Sequence, residues 1–406
     1  MIIIGGGIGG LLMAALYPNV TLLEKTSALG GRFRNIPFRG FQLTTGALHM
    51  IPHGATGPLA RLLKKAGVHC PIVDASPIST FYYEKEYRFH ELIKKIGSVE
   101  KWKLYAMLLE MRLREGGSES LQKYLDRRTQ NTLVQEGFRS FCIWSLSMEP
   151  SKVPCHEFFA IIRSIFRYRG PGVPLGGCSG IILALHTAIV QKKNRIHTAK
   201  VTEIMGDETV TGVIDEDGNQ YEDSLIISDI GAKATSHLIT FPSDYQKEID
   251  SMQPSEGIKY TIACKKSVIT HGGVMFTPGF SFIGGVDQVT NVDPSLAPPG
   301  YHLLMAHQRV SSHNFSKERE KGLTELEILL ADIPHEILSI QMYRKNNPVN
   351  HAATGFDMPQ QTPIEGLYLV GDAAKGKGGI EVEGIALGVE ALIPLLEKKG
   401  IVPLYT

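Results

Sequence analysis

The residues best suited to chemistry stand at the start of the chain. In MIIIGGGIGG, Gly5, Gly7 and Gly10 satisfy G-x-G-x-x-G, and Glu24 closes the run NVTLLEK nineteen residues after Gly5. In that spacing the first glycine permits a tight turn, the second lets a pyrophosphate approach the backbone, and the third lets a helix pack closely on a strand. A carboxylate at the end of the second strand accepts hydrogen bonds from an adenosine ribose. The candidate dinucleotide contacts in this segment are Gly5, Gly7, Ile8, Gly9, Gly10, Glu24 and Lys25. Further on, Gly30, Gly31 and Arg32 in SALGGRF fall back over the phosphates, where a guanidinium pairs with them.

These residues require particular elements to hold them. IIIG reads as a short buried parallel strand, GLLMAAL as a helix packed on a sheet, and NVTLLEK as a second buried strand. The helix start then offers unpaired N–H groups and a partial positive charge to the phosphates.

The bulk composition narrows the alternatives. The chain has 406 residues and is 43% hydrophobic, enough for a large core and more naturally two domains than one. A net charge of +1 gives no global attraction to nucleic acid. Cys70, Cys142, Cys155, Cys178 and Cys264 are scattered without metal-ligand spacing and read as buried free thiols in a reducing cytoplasm. The apolar stretch Met1–Ile4 is too short for a signal peptide, and no window is apolar enough to span a bilayer. No Ser-His-Asp spacing, paired-carboxylate motif or H-E-x-x-H signature appears.

With SALGGRF in place, the sequence resembles the FAD-binding fold shared by phytoene desaturases and flavin amine oxidases, and looks most like the phytoene desaturase branch. The likeness runs with gaps from Met1 to about Leu392. It implies FAD as cofactor, with Thr45, Gly46 and His49 of FQLTTGALHM near the flavin ring or ribityl chain. GGCSGIILAL and IHTAKVTEI resemble the mid-chain return, where Val201 offers its backbone to the adenine, and SLIISDIGA, with Ser228, leads back to the site. In GLYLVGDAAKGKGGIEVEGIALGVEAL the resemblance assigns Asp372, after Gly371, to the ribityl or phosphate region. It aims the helix start at Gly379, Ile380, Glu381 and Val382 at the pyrimidine end of the isoalloxazine. One departure is a first helix about one turn shorter than usual, stopped by Pro18.

The expected architecture is α/β: a discontinuous Rossmann-like FAD-binding domain of glutathione reductase type at 1–72, 170–236 and 346–406, with an inserted α+β substrate domain at 73–169 and 237–345. The first insert has helical spacing, with Gly116 and Gly117 as a stop and Ser118 as a start. In the second, IKYTIACKK, GVMFTPG and YHLLMAHQRV read as strands and KEREKGLTELEILLADI as a helix. Phe141, Trp144, Met148, Phe158, Phe159 and Phe166 fit either a core or the lining of an apolar tunnel for an isoprenoid chain.

The resemblance implies an FAD-dependent oxidoreductase that desaturates, saturates or isomerises a carbon–carbon bond of a lipophilic substrate by hydride transfer with flavin N5. A flavin amine oxidase and a non-catalytic prenyl-binding protein of the same fold are the alternatives. No catalytic residue is assigned: Lys375 and Lys377 fit either partners of phosphate or a reduced ring or, more commonly, solvated loop lysines, His49 and His53 fit either the substrate face or, more commonly, structural or solvated places, and Glu381 and Glu383 are carboxylates favoured at a helix start. The expected partner is a lipophilic small molecule. A polyene would bring the protein to a membrane surface, although no basic amphipathic helix announces it.

Overall fold

Three β-branched residues, Ile2–Ile4, form strand β1. The helix α1 (Ile8–Leu16) follows the glycines, and strand β2 (Thr21–Glu24) returns beside β1. The computed structural model describes residues 1–406 apart from Ala47, Asn346 and Thr406, so the domain limits expected at 346 and 406 lie outside the described residues. β1 is the centre of a five-stranded sheet ordered Leu367–Leu369, Ile226–Ser228, β1, β2, Arg195–Thr198, with every pair parallel. The strands at 226–228 and 367–369 come from far down the chain, so three distant segments build one sheet.

Both faces of that sheet are covered, as parallel sheets require. On one, α1 packs with the helices Pro58–Lys65, Gly177–Gln191 and Glu381–Glu397 through Leu12, Leu62, Leu185 and Val389. On the other lie a three-stranded antiparallel sheet spanning 201–222 and the segment after Ile226–Ser228. This second layer moves one expected boundary. Ile239, Phe241, Ile249 and Met252 pack with Ile2, Ile4 and Val201, so the chain to about Met252 goes with the nucleotide-binding unit, whereas the sequence reading placed it in the substrate domain from 237.

The remaining chain forms a seven-stranded sheet capped by helices. The strands expected around IKYTIACKK, GVMFTPG and YHLLMAHQRV are Gly257–Cys264, Val274–Phe276 and His302–Arg309. The structure adds Ile283–Gln288 and His335–Tyr343 to the same sheet. The first insert folds as the helices Gly97–Leu113, Leu121–Arg128, Thr132–Leu146 and Cys155–Tyr168. The start expected at Ser118 lies at Ser120 instead, whose side chain accepts the Lys123 N–H at the first turn. All five cysteines are free thiols. No helix among the described residues is long and apolar enough to cross a membrane.

The short α1 is terminated by a buried clamp. Every one of its residues is buried, and Tyr17 closes it by donating its N–H to Met13 O. Asn194, buried at the far side of β2, donates Nδ2 to Ala14 O at 2.7 Å and Tyr17 O at 2.8 Å, while its Oδ1 accepts the Val20 N–H at 2.9 Å. One side chain thus satisfies two carbonyls that the helix end would leave unpaired and fixes the turn into β2. Replacing Asn194 with Leu leaves three buried backbone groups unpartnered. We expect it to destabilise the fold by about 2–4 kcal/mol in chemical denaturation, against under about 1 kcal/mol for an exposed control.

Candidate functional site

The ends of β1, of Ile226–Ser228 and of Leu367–Leu369 open into one groove, and glycines line it. Gly5 sits at φ +99° and Gly371 at φ +93°, conformations that residues with a side chain rarely adopt. A Cβ at Gly10 would press into the Gly5 carbonyl, so close packing of α1 on β1 demands glycine there. A Cβ at Gly9 would lie 2.7 Å from Asp229 Oδ1 and 3.0 Å from the Gly371 N. The first and last segments of the chain therefore touch backbone to backbone across this groove.

Asp229 is the residue that the sequence reading missed. It follows Ser228 directly, and its Oδ2 accepts the Gly10 N–H at 2.9 Å. Ser228 itself points away, its hydroxyl bonded to Thr235 Oγ1 at 2.7 Å in the core, so only its backbone faces the groove. Desolvation pushes the Asp229 carboxyl up to about 8; the Gly10 N–H acts the other way, and the nearby charges of Asp372 and Glu24 add to the rise. At neutral pH it is a neutral acid, which matters beside a phosphate. The signal lay in view: a carboxylate ending a buried strand against the glycine turn, the same logic that picks out Glu24.

Glu24 is fixed at the end of β2 by both carboxylate oxygens. Its Oε2 accepts the Gly6 N–H at 2.7 Å, and its Oε1 accepts the Thr26 N–H and hydroxyl at 3.0 Å each. Lys25, beside it, is exposed. Val201 starts the strand Val201–Met205, tied to this edge by the Ala199 N–H donated to Glu24 O at 2.9 Å. Gly7 and Gly30 form a parallel bridge, which brings Gly30 and Gly31 over the turn as expected.

Arg32 is engaged differently from the expectation. Its guanidinium forms an ion pair with Asp372 and donates to the Pro348 and Val349 carbonyls, the latter at 2.9 Å. It thereby ties the second glycine motif to the last segment. Burial opposes ionisation of Asp372, but Arg32, His351 and Lys375 outweigh it and hold the carboxyl below its ordinary range. Thr45 supports the pair by donating its hydroxyl to Arg32 O at 3.0 Å, and Gly46 leaves room for the Arg32 side chain.

Three further expectations change. Lys375 is buried, donating to Ala352 O, Asp357 Oδ1 and Asp372 O at 2.7 Å each, so it locks the last loop instead of meeting solvent; Lys377 is exposed. His49 is buried with both ring nitrogens engaged, Nε2 donating to Gln42 O at 2.7 Å and Nδ1 accepting the Cys178 N–H at 3.1 Å. Burial pushes its pKa down to about 4, so it is a neutral brace with no ring atom left for a cofactor. Glu383 caps the Pro58–Lys65 helix, accepting the Leu59 N–H at 2.8 Å, and His53 is buried beside it.

The Glu381–Glu397 helix begins, as expected, just after Gly379, and no side chain caps it at Ile380. The start of α1 at Gly7 likewise has no side-chain cap. Glu381 stands at φ +45°, a left-handed conformation that is costly for a residue with a Cβ and is kept where the surroundings impose it. It is partly buried, and desolvation raises its carboxyl to about 7 against the pull of Lys259 and Arg32. Lys259, inside the strand Gly257–Cys264, donates to Thr44 O at 2.9 Å and Thr44 Oγ1 at 2.5 Å. Burial pushes this lysine down to about 7.

Glu381 and Ile380 also line an apolar cavity of about 300 Å³. Phe81, Phe138, Phe141, Trp144, Phe158 and Phe276 form its walls, drawn from both inserts. Of the aromatic set singled out in the sequence, Phe141, Trp144 and Phe158 line the cavity, Met148 and Phe159 are core, and Phe166 is exposed. Glu381 is the one carboxylate among the described lining residues.

The groove fits an FAD. Glycines leave the backbone open at two helix starts, with Asp229 on the Gly10 N–H, Glu24 stands at the end of β2, and Asp372 is fixed by Arg32. Among the described residues no cluster of His, Cys, Asp and Glu is arranged to hold a metal ion.

Comparison with known proteins agrees with this geometry. Residues 3–66 match the model of an NAD(P)-binding Rossmann-like domain. An uncharacterised protein of Methanocaldococcus jannaschii is 41% identical over 95% of this chain and 96% of its own. The crystal structure of an oxidoreductase from Methanosarcina mazei is similar with a TM-score of 0.92 at 37% identity, covering 97% of this chain and 99% of that one. A putrescine oxidase shares the fold, with a TM-score of 0.74 at 14% identity over 98% of each chain.

The Asp229 carboxyl sets a pH dependence on cofactor retention. Below about pH 8 it is protonated and tolerates a neighbouring pyrophosphate; above, it ionises and repels it. FAD affinity measured by flavin fluorescence should weaken as pH rises through about 8 in the parent protein and stay flat across that range in Asp229→Asn. Parallel profiles for the two proteins would contradict the placement of Asp229.

Proposed function

This chain belongs to the same family as the Methanosarcina mazei oxidoreductase, and from that premise we propose that it is an FAD-dependent enzyme of the amine oxidase and phytoene desaturase superfamily that acts on a carbon–carbon bond of a lipophilic substrate. The reading is carried by the apolar cavity that Glu381, at the start of the Glu381–Glu397 helix, helps to line. Apolar ligands gain from such walls in proportion to the area they remove from water. The lining offers a protonated amine the Glu381 carboxyl alone, with the cation Arg169 opposing it and the remaining walls mostly apolar.

FAD, when bound, supplies the two-electron acceptor or donor. The protein's own residues orient the substrate, exclude water and handle the proton. Cavity walls hold an isoprenoid or similar chain with the reacting carbons toward Ile380 and Glu381. In the oxidising direction the substrate would lose one C–H bond together with its electron pair, a hydride for which bound FAD would be the acceptor. The neighbouring C–H bond gives its proton to Glu381, and a C=C bond forms between the two carbons. Saturation runs the same steps backwards, with Glu381 as the acid. A carboxyl raised to about 7 suits either role at neutral pH. Lys259 sits close enough to favour its ionised form.

The pH profile tests this assignment. For an oxidising turnover Glu381 must be ionised, so kcat rises with pH through about 7. Glu381→Gln should remove that limb and lower kcat by about 10²–10⁴-fold while FAD stays bound. A variant with unchanged kcat and an unchanged profile would take Glu381 out of the chemistry.

A further inference from the structure

The Gly97–Leu113 helix is apolar on two opposite faces. Leu104, Met107 and Met111 are buried against the neighbouring helices. On the far side Val99, Trp102, Tyr105, Leu109 and Leu113 face outward; Trp102 is 71% exposed and Leu113 72%. At 100° per residue the side chains of 99, 102, 109 and 113 fall on one stripe. A surface helix normally turns charges outward, and a contiguous exposed apolar stripe marks a contact with something outside the chain. Phe166 of the Cys155–Tyr168 helix, 52% exposed, extends the patch, with the Arg112 guanidinium 5.1 Å from its ring centroid.

The charge around the stripe says what the contact is. Between 94 and 115 the basic side chains are Lys94, Lys95, Lys101, Lys103, Arg112 and Arg114, against Glu100, Glu110 and Glu115. Glu100 pairs with Lys103 of the same set at 2.7 Å and Glu110 with Arg128 outside it at 2.7 Å, and the stretch carries three more cations than carboxylates. The whole chain carries only +1, so this excess is local. Trp102 packs edge-on against Tyr105, centroids 6.2 Å apart, and Lys101 lies 5.9 Å from the Tyr105 ring. Amphipathic aromatics with cations beside them are the side chains that favour the boundary between headgroups and acyl chains.

We propose that this face docks on an anionic lipid surface. The opposite side of the helix supplies Leu104 and Leu108 to the wall of the apolar cavity, so a docked protein holds its cavity within one helix thickness of the acyl chains. On the reading given under the proposed function, that arrangement lets a lipophilic substrate pass between bilayer and cavity without crossing water. The sequence conceals the face because apolar residues on both sides leave no amphipathic pattern.

Flotation of the purified, FAD-loaded full chain with vesicles tests it. Vesicles of equal phosphatidylglycerol and phosphatidylcholine should carry the protein up, and pure phosphatidylcholine vesicles should do so at least about tenfold less. Trp102→Glu with Leu109→Glu should reduce binding to the anionic vesicles by about tenfold or more, with flavin content and melting temperature unchanged; neither residue lines the cavity. Lys101→Glu with Lys103→Glu, which leaves the apolar stripe intact, should weaken binding and its salt sensitivity. Equal binding to both vesicle types, or parent-like binding by both variants, would overturn the proposal. So would a dimer in sedimentation that Trp102→Glu with Leu109→Glu dissociates while vesicles bind neither protein. Any of these outcomes with FAD still bound leaves the oxidoreductase reading standing.

Discussion

Everything at the cofactor groove depends on how closely backbone meets backbone between Gly5–Gly10 and Gly371. A methyl group at Gly9 would meet both the Asp229 carboxyl and the Gly371 amide. The starts of α1 and of the Glu381–Glu397 helix can share one groove only because glycines leave room there for the Asp229 carboxyl. The N–H groups of the two starts, of which Asp229 already takes the Gly10 one, create a region of positive potential, and that potential is what a diphosphate and an electron-rich ring have in common as ligands. Asp372 and Asp229 temper it in opposite ways, the first ionised by Arg32 and the second kept neutral by desolvation.

The second unit depends on the first for its position. Glu381 belongs to the helix that serves the groove, yet it helps to line a cavity whose walls come from the inserts. Lys259 crosses in the other direction: it belongs to the seven-stranded sheet but bonds Thr44, in the strand Phe41–Thr44 of the N-terminal segment. Arg32 ties the N-terminal segment to Pro348 and Val349 near the end of the chain, Asn194 ties the middle of the chain to α1, and Lys375 locks the last loop locally. A buried cation or amide with every donor engaged restricts the backbone around it to one arrangement, since any other leaves unpaired polar groups in the core.

Much of this was legible in the sequence where backbone geometry dictates residue type. Gly5, Gly7 and Gly10 with Glu24 announced the first strand, turn and helix, and Gly371 with Asp372 announced the last, because these positions tolerate few alternatives. What stayed hidden was the choice of partner. Arg32 pairs with Asp372, 340 positions away, and Lys375 is buried on Ala352, Asp357 and Asp372 by the folding back of its own loop, which no local pattern announces. Asp229 and Lys259 stood in apolar runs as lone charges, a signal that went unused. The strand Ile283–Gln288 was masked by Gly284 and Gly285, weak strand formers that are required here because the Trp144 helix lies directly on them.

The central claim is that three distant segments close on one FAD. The most direct measurement is to purify the chain, incubate it with excess FAD, remove the free cofactor, denature the protein, and quantify released flavin by absorbance and mass spectrometry. The account predicts close to one FAD per chain, reduced to a trace by Gly9→Val, whose side chain would fill the space between Gly9, Asp229 and Gly371. A folded protein that releases no flavin after that incubation would contradict it.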